Sequence, residues 1–185
     1  MSISRETESP PTGSLTYDDY ARIPDDGNRH EIIHGAHYMN PAPIPYHQAL
    51  SRHIQFQLYS ALELSGLGEV INAPIDVQFS ERDVVQPHVV VVLKDNSIIT
   101  RTKINGVPDL MVEILSPSTS NNDLGLKKHL YEDNGVPEYW IVDSDEKVIQ
   151  EYTLVDGAYQ KPQTCADAIT FGGAPDVRVD LTRVW

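Results

Sequence analysis

The sequence predicts an α/β (α+β) domain in which a mixed central β-sheet is flanked by helices. Apolar residues recur at helical spacing over 46–65, which predicts one long amphipathic helix. Short apolar runs at 89–93, 110–115 and 138–142 are typical of buried strands. A sheet with helices packed on it is an arrangement that buries all of these segments.

The first elements are short and are separated by turn residues. Thr16 and Asp19 have the spacing of a capping box and predict a short helix that ends before Pro24. Residues 29–39 have the pattern of two strands that turn at Gly35. A hairpin after a single helical turn is therefore expected at the start of the ordered chain.

The long helix and two strands form the middle of the chain. The helix over 46–65 is predicted to end at the glycine that follows it, because glycine is favoured just beyond a helix C-terminus. Residues 69–79 alternate well enough for one strand interrupted at Pro74, and the run 89–93 predicts a short buried strand.

The second half repeats the pattern of strand, helix and strand. The apolar run 110–115 predicts a strand, and a polar loop separates it from a helix over 122–134. Further strands are predicted at 138–142 and 148–154, joined by a charged turn. A polar loop and helix that follow a buried strand are a plausible place for a functional site.

The length and composition fit one domain with a substantial core. The chain has 185 residues, of which 40% are hydrophobic. We predict a single domain over 16–185, preceded by a flexible lead-in at 1–15 that is polar and has neither a signal-peptide pattern nor a membrane span. Residues 160–185 form a weakly patterned tail, in which apolar residues at 177–181 favour an edge strand that packs back.

The charge and the single cysteine narrow the function classes. The net charge is −13, with 14 Lys and Arg against 27 Asp and Glu, which argues against an unspecific polyanion binder but leaves a local basic patch open. Cys165 is the only cysteine, so an internal disulfide and a multi-cysteine zinc motif are excluded. A cytoplasmic, reducing setting is the natural expectation.

Glu113 is the residue that most needs an explanation. It is a carboxylate inside an apolar strand, where a charge is costly unless it is paired, bound to a metal or at a sheet edge. On the following helix Asp123, Lys127 and Tyr131 are spaced at i, i+4 and i+8, which places them on one face. An edge position or a plain salt bridge is the alternative interpretation of Glu113, and a solvated surface charge is that of Lys127.

Several segments occur together in an order that is specific as a set. They are RHEIIHG at 29–35, His47 after a Pro-rich loop, VQPH at 85–88, GVPDLMVEILSPST at 106–119, Asp123 with Lys127 and Tyr131, and GVPEYW at 135–140. With this set the chain resembles the PD-(D/E)XK nuclease superfamily, and specifically its large bacterial family of Uma-type restriction endonucleases. The resemblance spans roughly residues 17–159.

The resemblance implies a restriction-endonuclease-like fold and a metal-dependent endonuclease that hydrolyses DNA phosphodiester bonds. Such hydrolysis uses divalent ions, Mg²⁺ or Mn²⁺, which neutralise the phosphate and activate water, and carboxylates are the ligands that these hard cations prefer. DNA is then the expected partner. Many nucleases of this fold cut as dimers, so a homodimer is also expected.

The resemblance also assigns roles to individual residues. Glu113 is similar to the second acid of the family motif, and Glu31 would be the extra acid; both would be catalytic and would bind metal. The usual motif lysine position holds Leu115, so the resemblance places the catalytic lysine at Lys127. His47, Ser116 and Asp123 are expected to line the site.

One position departs from the family pattern. The family has Pro-Asp where this chain has His88 after a proline. An imidazole in the place of a metal-binding aspartate suits Mn²⁺, Zn²⁺ or Ni²⁺ better than Mg²⁺. His88 therefore leaves open an impaired nuclease, a nuclease with another metal, and a catalytically inactive nuclease-fold protein that binds nucleic acid or a protein partner.

Other residues suggest weaker alternatives. Asp109 would lie on the strand face of Glu113 but about 13 Å from it, too far to share an ion at roughly 3.3 Å per residue. A histidine zinc site, or a cupin-like metallo-hydrolase, would require the histidines to cluster in space, and no HExxH helix is present. Tyr139 and Trp140 are interpreted as core or subunit-contact residues.

Overall fold

We describe residues 13–40, 44–116 and 122–185 of a computed structural model of the chain, without the side chains of Asn122 and Asp123. The α-helices are α1 (Tyr17–Tyr20), α2 (Pro45–Leu58) and α3 (Lys128–Asp133). A π-helical turn, Tyr59–Glu63, continues α2, another, Asn122–Lys127, leads into α3, and a 3₁₀ turn lies at Leu181–Arg183.

The strands follow one another along the chain in the order β1 (Arg29–Ile33), β2 (Ala36–Asn40), β3 (Gly68–Asn72), β4 (Val77–Ser80), β5 (Asp83–Val85), β6 (Val89–Leu93), β7 (Ile104–Asn105), β8 (Leu110–Ile114), β9 (Glu138–Asp143), β10 (Val148–Val155), β11 (Ala158–Tyr159), β12 (Gln163–Cys165), β13 (Ala168–Thr170) and β14 (Arg178–Asp180).

A seven-stranded mixed sheet forms the centre of the fold. Its order is β11-β10-β9-β8-β6-β3, and β12 also pairs with β10. The pairs are antiparallel except for β8 with β9, which run parallel because α3 and its π-helical turn connect them. The predicted fold class, a mixed central sheet flanked by helices, is confirmed.

A second, five-stranded sheet packs beside the central one. Its order is β2-β1-β5-β4-β7, with β4 and β7 parallel and the other pairs antiparallel. The prediction of one strand over 69–79 is therefore wrong in one respect. The segment forms two strands, separated at the cis Ala73–Pro74 bond. The strand β3 joins the central sheet, whereas β4 joins the second sheet.

The core has two parts, one on each face of the central sheet. On one face Val91, Val112 and Trp140 pack with α2 and the C-terminal residues. On the other face Val90 and Tyr139 pack with α3 and the second sheet. Both faces are covered, which explains why β6, β8 and β9 are continuous apolar runs rather than alternating ones.

The C-terminal residues form ordered structure. β12 extends the central sheet beyond β10, and β13 and β14 form a separate antiparallel hairpin that packs on α2. Val179 and Leu181 are fully buried there. The expected edge strand at 177–181 thus packs back on the core, but it pairs only with β13.

Tyr139 and Trp140 are core residues. Both side chains are fully buried within the chain, so of the two predicted alternatives, core or subunit contact, the core alternative is the one that the structure supports. The expected homodimer loses this support and stays a prediction. Among the described segments, no helix combines the length and the apolar character that crossing a membrane requires.

Candidate active site

His88 and Glu113 face each other on adjacent strands of the central sheet. The β6–β8 register pairs Val89 with Val112, and the His88 N–H donates to the Val112 carbonyl at 3.2 Å. Side chains alternate along a strand, so His88, Val90 and Glu113 project from the same face, toward the second sheet. An apolar strand interrupted by one acid therefore delivers that acid to the space between the sheets.

Lys127 joins Glu113 to Glu31, which belongs to the second sheet. The Lys127 Nζ lies 2.8 Å from Glu113 Oε1 and 2.8 Å from Glu31 Oε1. Both carboxylates and the lysine are almost completely buried. We call Glu31, His88, Glu113 and Lys127 the ion cluster, and the structure thus brings these four predicted site residues together.

Every carboxylate oxygen of the cluster accepts a hydrogen bond. The Tyr131 hydroxyl donates to Glu113 Oε1 at 3.2 Å. On Glu31, Oε1 accepts from the Gln86 N–H at 2.8 Å and Oε2 accepts from Asn40 Nδ2 at 2.7 Å. Buried charges persist in proteins only when paired and hydrogen-bonded in this way.

The contact geometry fixes the tautomer of His88. Its Nδ1 lies 2.5 Å from Glu113 Oε2 and 3.3 Å from the Ile114 nitrogen, and it cannot donate to the first and accept from the second at once. The shorter contact decides, because two lone pairs at that separation would repel. Nδ1 therefore carries the proton, and in neutral His88 the Nε2 lone pair faces Arg29, whose Nη2 is 3.5 Å away.

Glu113 is an anion in this setting. Burial by itself raises the pKa of its carboxyl group, but the positive charge of Lys127 and the hydrogen bond from His88 lower the pKa by more, and the net shift is downward. With neutral His88, the two carboxylates and the Lys127 ammonium leave one net negative charge. The Arg29 guanidinium contacts His88 and, among these described residues, forms no ion pair with either carboxylate.

This arrangement does not fit a divalent metal ion. Within 13–40, 44–116 and 122–185 there is no group of three or more His, Cys, Asp or Glu side chains placed to hold one. The Glu113 oxygens accept hydrogen bonds from Lys127, Tyr131 and His88, so the ligand oxygens that a metal ion would need are already used. A divalent ion would also add two positive charges to a cluster that is nearly neutral.

A cleft of about 410 Å³ opens beside the ion cluster. Its lining includes Arg29, His47, Ser51, Gln86 and His88. His47, predicted to line the site, lies in the first turn of α2 with only 6% of its surface exposed. Burial lowers the pKa of His47, and the nearby His88 and Arg29 lower it further.

Ser116 and Asp123 stay predictions as residues that line the site. Ser116 is half-buried just after β8, next to residues 117–121, which are outside the description. The side chain of Asp123 is also outside it. Asp109 has a structural position instead, since its Oδ2 accepts from the Leu93 N–H at 2.8 Å and from Asn96 Nδ2 at 3.0 Å.

The surface histidines do not support a zinc site. His30 Nδ1 lies 3.0 Å from His37 Nε2, and His30 Nε2 lies 2.9 Å from Asp26 Oδ1, so the two ring nitrogens of His30 are used by neighbours. His34 lies near Asp83, with its Nδ1 3.5 Å from Oδ1. Of the described histidines, only His47 and His88 line the cleft.

Three residues of the site were assigned no role from the sequence. Arg29 lines the cleft, Asn40 holds Glu31, and the Tyr131 hydroxyl holds Glu113. The i, i+4 spacing from Lys127 did place Tyr131 on the right face. An Asn in a strand is disfavoured unless its side chain has a specific partner, which is the signal that could have identified Asn40.

Comparisons with known proteins identify a family and a shared fold. The family model described as "Putative restriction endonuclease" (Uma2) matches residues 17–181. A solved structure from Anabaena variabilis, described as a "putative nuclease belonging to DUF820", superposes with a TM-score of 0.76 at 18% sequence identity and covers 92% of this chain and 97% of its own. At that identity it shows a shared fold. No curated protein matches the chain.

Proposed function

Because the chain belongs to the Uma2 family of restriction-endonuclease-like proteins, we propose that it is an endonuclease that hydrolyses DNA phosphodiester bonds and that His88 impairs this activity. Glu113, Glu31 and Lys127 are the catalytic residues of the proposal. The observation that carries it is the position of Lys127 Nζ, 2.8 Å from each of two buried carboxylates beside an open cleft.

The residue types suit the reaction. Phosphodiester hydrolysis builds negative charge on the phosphate oxygens, and a fixed ammonium such as that of Lys127 stabilises this charge without reorganisation. Glu113 stays ionised at neutral pH, as a general base or a cation ligand must. Strongly perturbed carboxylates at a cleft are more frequent at functional sites than elsewhere.

His88 is the reason for proposing impairment. Its Nδ1–H donates to Glu113 Oε2 and so occupies an oxygen that would otherwise face a cation or a water. It also removes the negative charge that an aspartate would supply at this position. Mg²⁺ or Mn²⁺, which the family resemblance implies, would have to compete with His88 and Lys127 for the same carboxylate oxygens.

The test is cleavage of supercoiled plasmid and of single-stranded DNA with Mg²⁺, with Mn²⁺ and without metal. The unchanged protein is compared with His88→Asp and Glu113→Gln. We expect weak or no cleavage by the unchanged protein, and cleavage by His88→Asp that needs a divalent ion. His129→Asp is the matched control, because it adds the same charge at an exposed position on α3.

Each outcome has one interpretation. Cleavage by the unchanged protein that Glu113→Gln abolishes would establish a working nuclease with an unusual ligand set. Cleavage only by His88→Asp would establish that the histidine suppresses an otherwise intact site. If neither the unchanged protein nor His88→Asp cuts any substrate under any condition, the proposal fails.

Metal binding gives a second measurement that does not depend on turnover. A ligand that binds only the folded state raises the unfolding temperature. We expect Mg²⁺ or Mn²⁺ to leave the unfolding temperature of the unchanged protein where it is and to raise that of His88→Asp, while His129→Asp behaves like the unchanged protein. Equal shifts in all three would contradict the role given to His88.

One observation favours a second candidate, a catalytically inactive nuclease-fold protein that binds nucleic acid or a protein partner. All four carboxylate oxygens of Glu31 and Glu113 have partners within the chain, as expected of a structural ion cluster. This candidate predicts that even His88→Asp is inactive and binds no divalent ion.

The proposal includes a homodimer in the cytoplasm, as in many nucleases that cut both strands. Light scattering on the purified protein measures the assembly directly. A monomer at all concentrations would remove the dimer from the proposal and leave the chemistry of the site untouched.

A further inference from the structure

We propose that the cleft beside the ion cluster contains a phosphate-binding subsite anchored by Arg29, which holds a backbone phosphate of a DNA strand. This inference rests on the proposed function for the identity of the strand. It adds a binding role for a residue outside the four-residue cluster.

Arg29 has no carboxylate partner among the described residues. Its Nε is buried and has no hydrogen-bond partner within the described part of the chain, and no carboxylate there forms an ion pair with it. Among the described residues, the polar contact of its guanidinium is with His88 Nε2, at 3.5 Å from Nη2, which is beyond the usual hydrogen-bond range. Buried donors are nearly always paired, so an arginine that lines a cleft with its buried Nε unpaired indicates an anionic ligand.

The strand geometry points Arg29 toward the reaction site. Arg29 and Glu31 are two residues apart on β1 and therefore project from the same face. Glu31 is held in the ion cluster by Lys127. An anion held by Arg29 would therefore lie next to the cluster, where the proposed reaction places a phosphate.

His47 lies close enough to Arg29 to sense its positive charge. Apart from burial, the largest influences that lower its pKa are the nearby His88 and Arg29, which disfavour a further positive charge. Asp145 acts on His47 in the opposite direction, and Asp25 also lines the cleft, but neither pairs with Arg29. Arg29 thus brings a local positive charge to the cleft although the whole chain carries a net charge of −13.

A nucleotide strand fits the cleft better than a free phosphate ion. Gln86 lines the same cleft, and its Oε1 is buried without a hydrogen-bond partner in the described structure. Its Nε2 is already used, donating to the Tyr20 hydroxyl and to Asp76 Oδ1 at 2.9 Å. An unpaired acceptor needs a hydrogen-bond donor, and a nucleotide strand offers the N–H groups of its bases in addition to its phosphates.

Fluorescence anisotropy with a labelled single-stranded oligodeoxynucleotide, in the presence of a chelator, tests the subsite without cleavage. We expect Arg29→Gln to bind about 10- to 100-fold more weakly, because a hydrogen-bonded charge is lost. The slope of log affinity against log salt should fall by about 0.7 for one lost phosphate contact to a single strand. Arg29→Lys should keep the slope and lose part of the affinity, since lysine keeps the charge but not the planar fork.

Arg101→Gln is the matched control, because Arg101 is exposed in the loop before β7 and does not line the cleft. It removes the same charge and should change the affinity by less than about 3-fold. The unfolding midpoint of each variant is measured alongside. If Arg29→Gln is unfolded, Arg29→Lys carries the test through its affinity.

The His47 ring protons provide a second readout by NMR. Bound oligonucleotide should raise the pH midpoint of the His47 titration in the unchanged protein, since a nearby anion favours the charged imidazole. Arg29→Gln should lose this shift. If inorganic phosphate alone produces the full shift at similar concentration, the subsite takes free phosphate and the assignment to a DNA strand is overturned.

The failure of this inference can be told from that of the proposed function. If Arg29→Gln binds the oligonucleotide as tightly as the unchanged protein, or the unchanged protein binds none, the subsite is overturned whatever the cleavage assay shows. If binding depends on Arg29 but no variant cuts DNA, the subsite stands and the nuclease proposal fails.

Discussion

Lys127→Met tests whether the ion cluster stabilises the fold as its burial suggests. The lysine is 4% exposed and contacts two carboxylates that are 1% and 0% exposed. Methionine is similar in length and removes only the charge and the donors. Breaking a buried pair by removing one partner leaves uncompensated charge, and here two carboxylates lose the same counterion.

We expect a loss of about 3 to 5 kcal/mol in the free energy of unfolding. The remaining hydrogen bonds to Glu31 and Glu113 prevent a larger loss. For a chain of this size the loss corresponds to a fall of about 6 to 20 °C in the unfolding temperature. The loss should shrink as the pH falls, because without Lys127 the pKa of Glu113 rises and its carboxyl group is neutralised by protonation.

The assay is urea unfolding at pH 5 and pH 8, with Lys161→Met as the matched control at an exposed position. The control should change the free energy of unfolding by less than about 0.5 kcal/mol. Combining Lys127→Met with Glu113→Gln should recover part of the loss, since one of the stranded charges is removed as well. A loss below about 1 kcal/mol, or purely additive effects in the double variant, would refute the reasoning.

Three further predictions concern other buried polar groups. Burial raises the pKa of Glu138 from 4.5 to about 7 and the neighbouring Glu151 contributes, so the stability that this group provides is complete below pH 4.5 and is lost as the pH rises through about 7. Glu151→Gln replaces the like charge with a donor, and by urea unfolding it should stabilise the protein by about 1 kcal/mol at pH 8 and by much less at pH 5; an equal gain at both would contradict this. Tyr131→Phe removes one donor to Glu113 and should lower the unfolding free energy by about 1 to 2 kcal/mol; a neutral result would mean that the 3.2 Å contact is not a stabilising bond. Asp109→Ala removes the acceptor of the Leu93 N–H and one of the two acceptors of Asn96 Nδ2, and should cost about 1 to 3 kcal/mol by the same assay without changing DNA binding, whereas a loss of binding would point to a functional role.

Much of the fold could be predicted because local pattern and tertiary environment agree. The apolar runs of β6, β8 and β9 are buried on both faces, and α2 has the helical spacing of its buried residues. The same continuity left open whether Tyr139 and Trp140 are core or subunit-contact residues. An apolar run indicates that both faces of a strand are buried, but it does not indicate whether the residues that bury them belong to the same chain.

The candidate site could be predicted in part for a similar reason. Glu113 is conspicuous as a charge in an apolar strand, and Lys127 lies one helix later. Glu31 reaches them from a different sheet, and only the resemblance to a family suggested it. Arg29 could not be assigned, because a sequence does not show that the buried Nε of this arginine lacks a hydrogen-bond partner among the described residues.

The ion cluster has a consequence for how the two sheets stay together. Glu31 belongs to the five-stranded sheet and Glu113 to the seven-stranded one, so Lys127 links the two sheets through one ion pair to each. A bound cation, a substitution or a change of pH that displaces Lys127 would therefore weaken the contact between the two sheets and rearrange the site together. Amide hydrogen exchange in the strands of Glu31 and Glu113 would then report whether the site is occupied. Variants selected for catalysis would tend to be less stable.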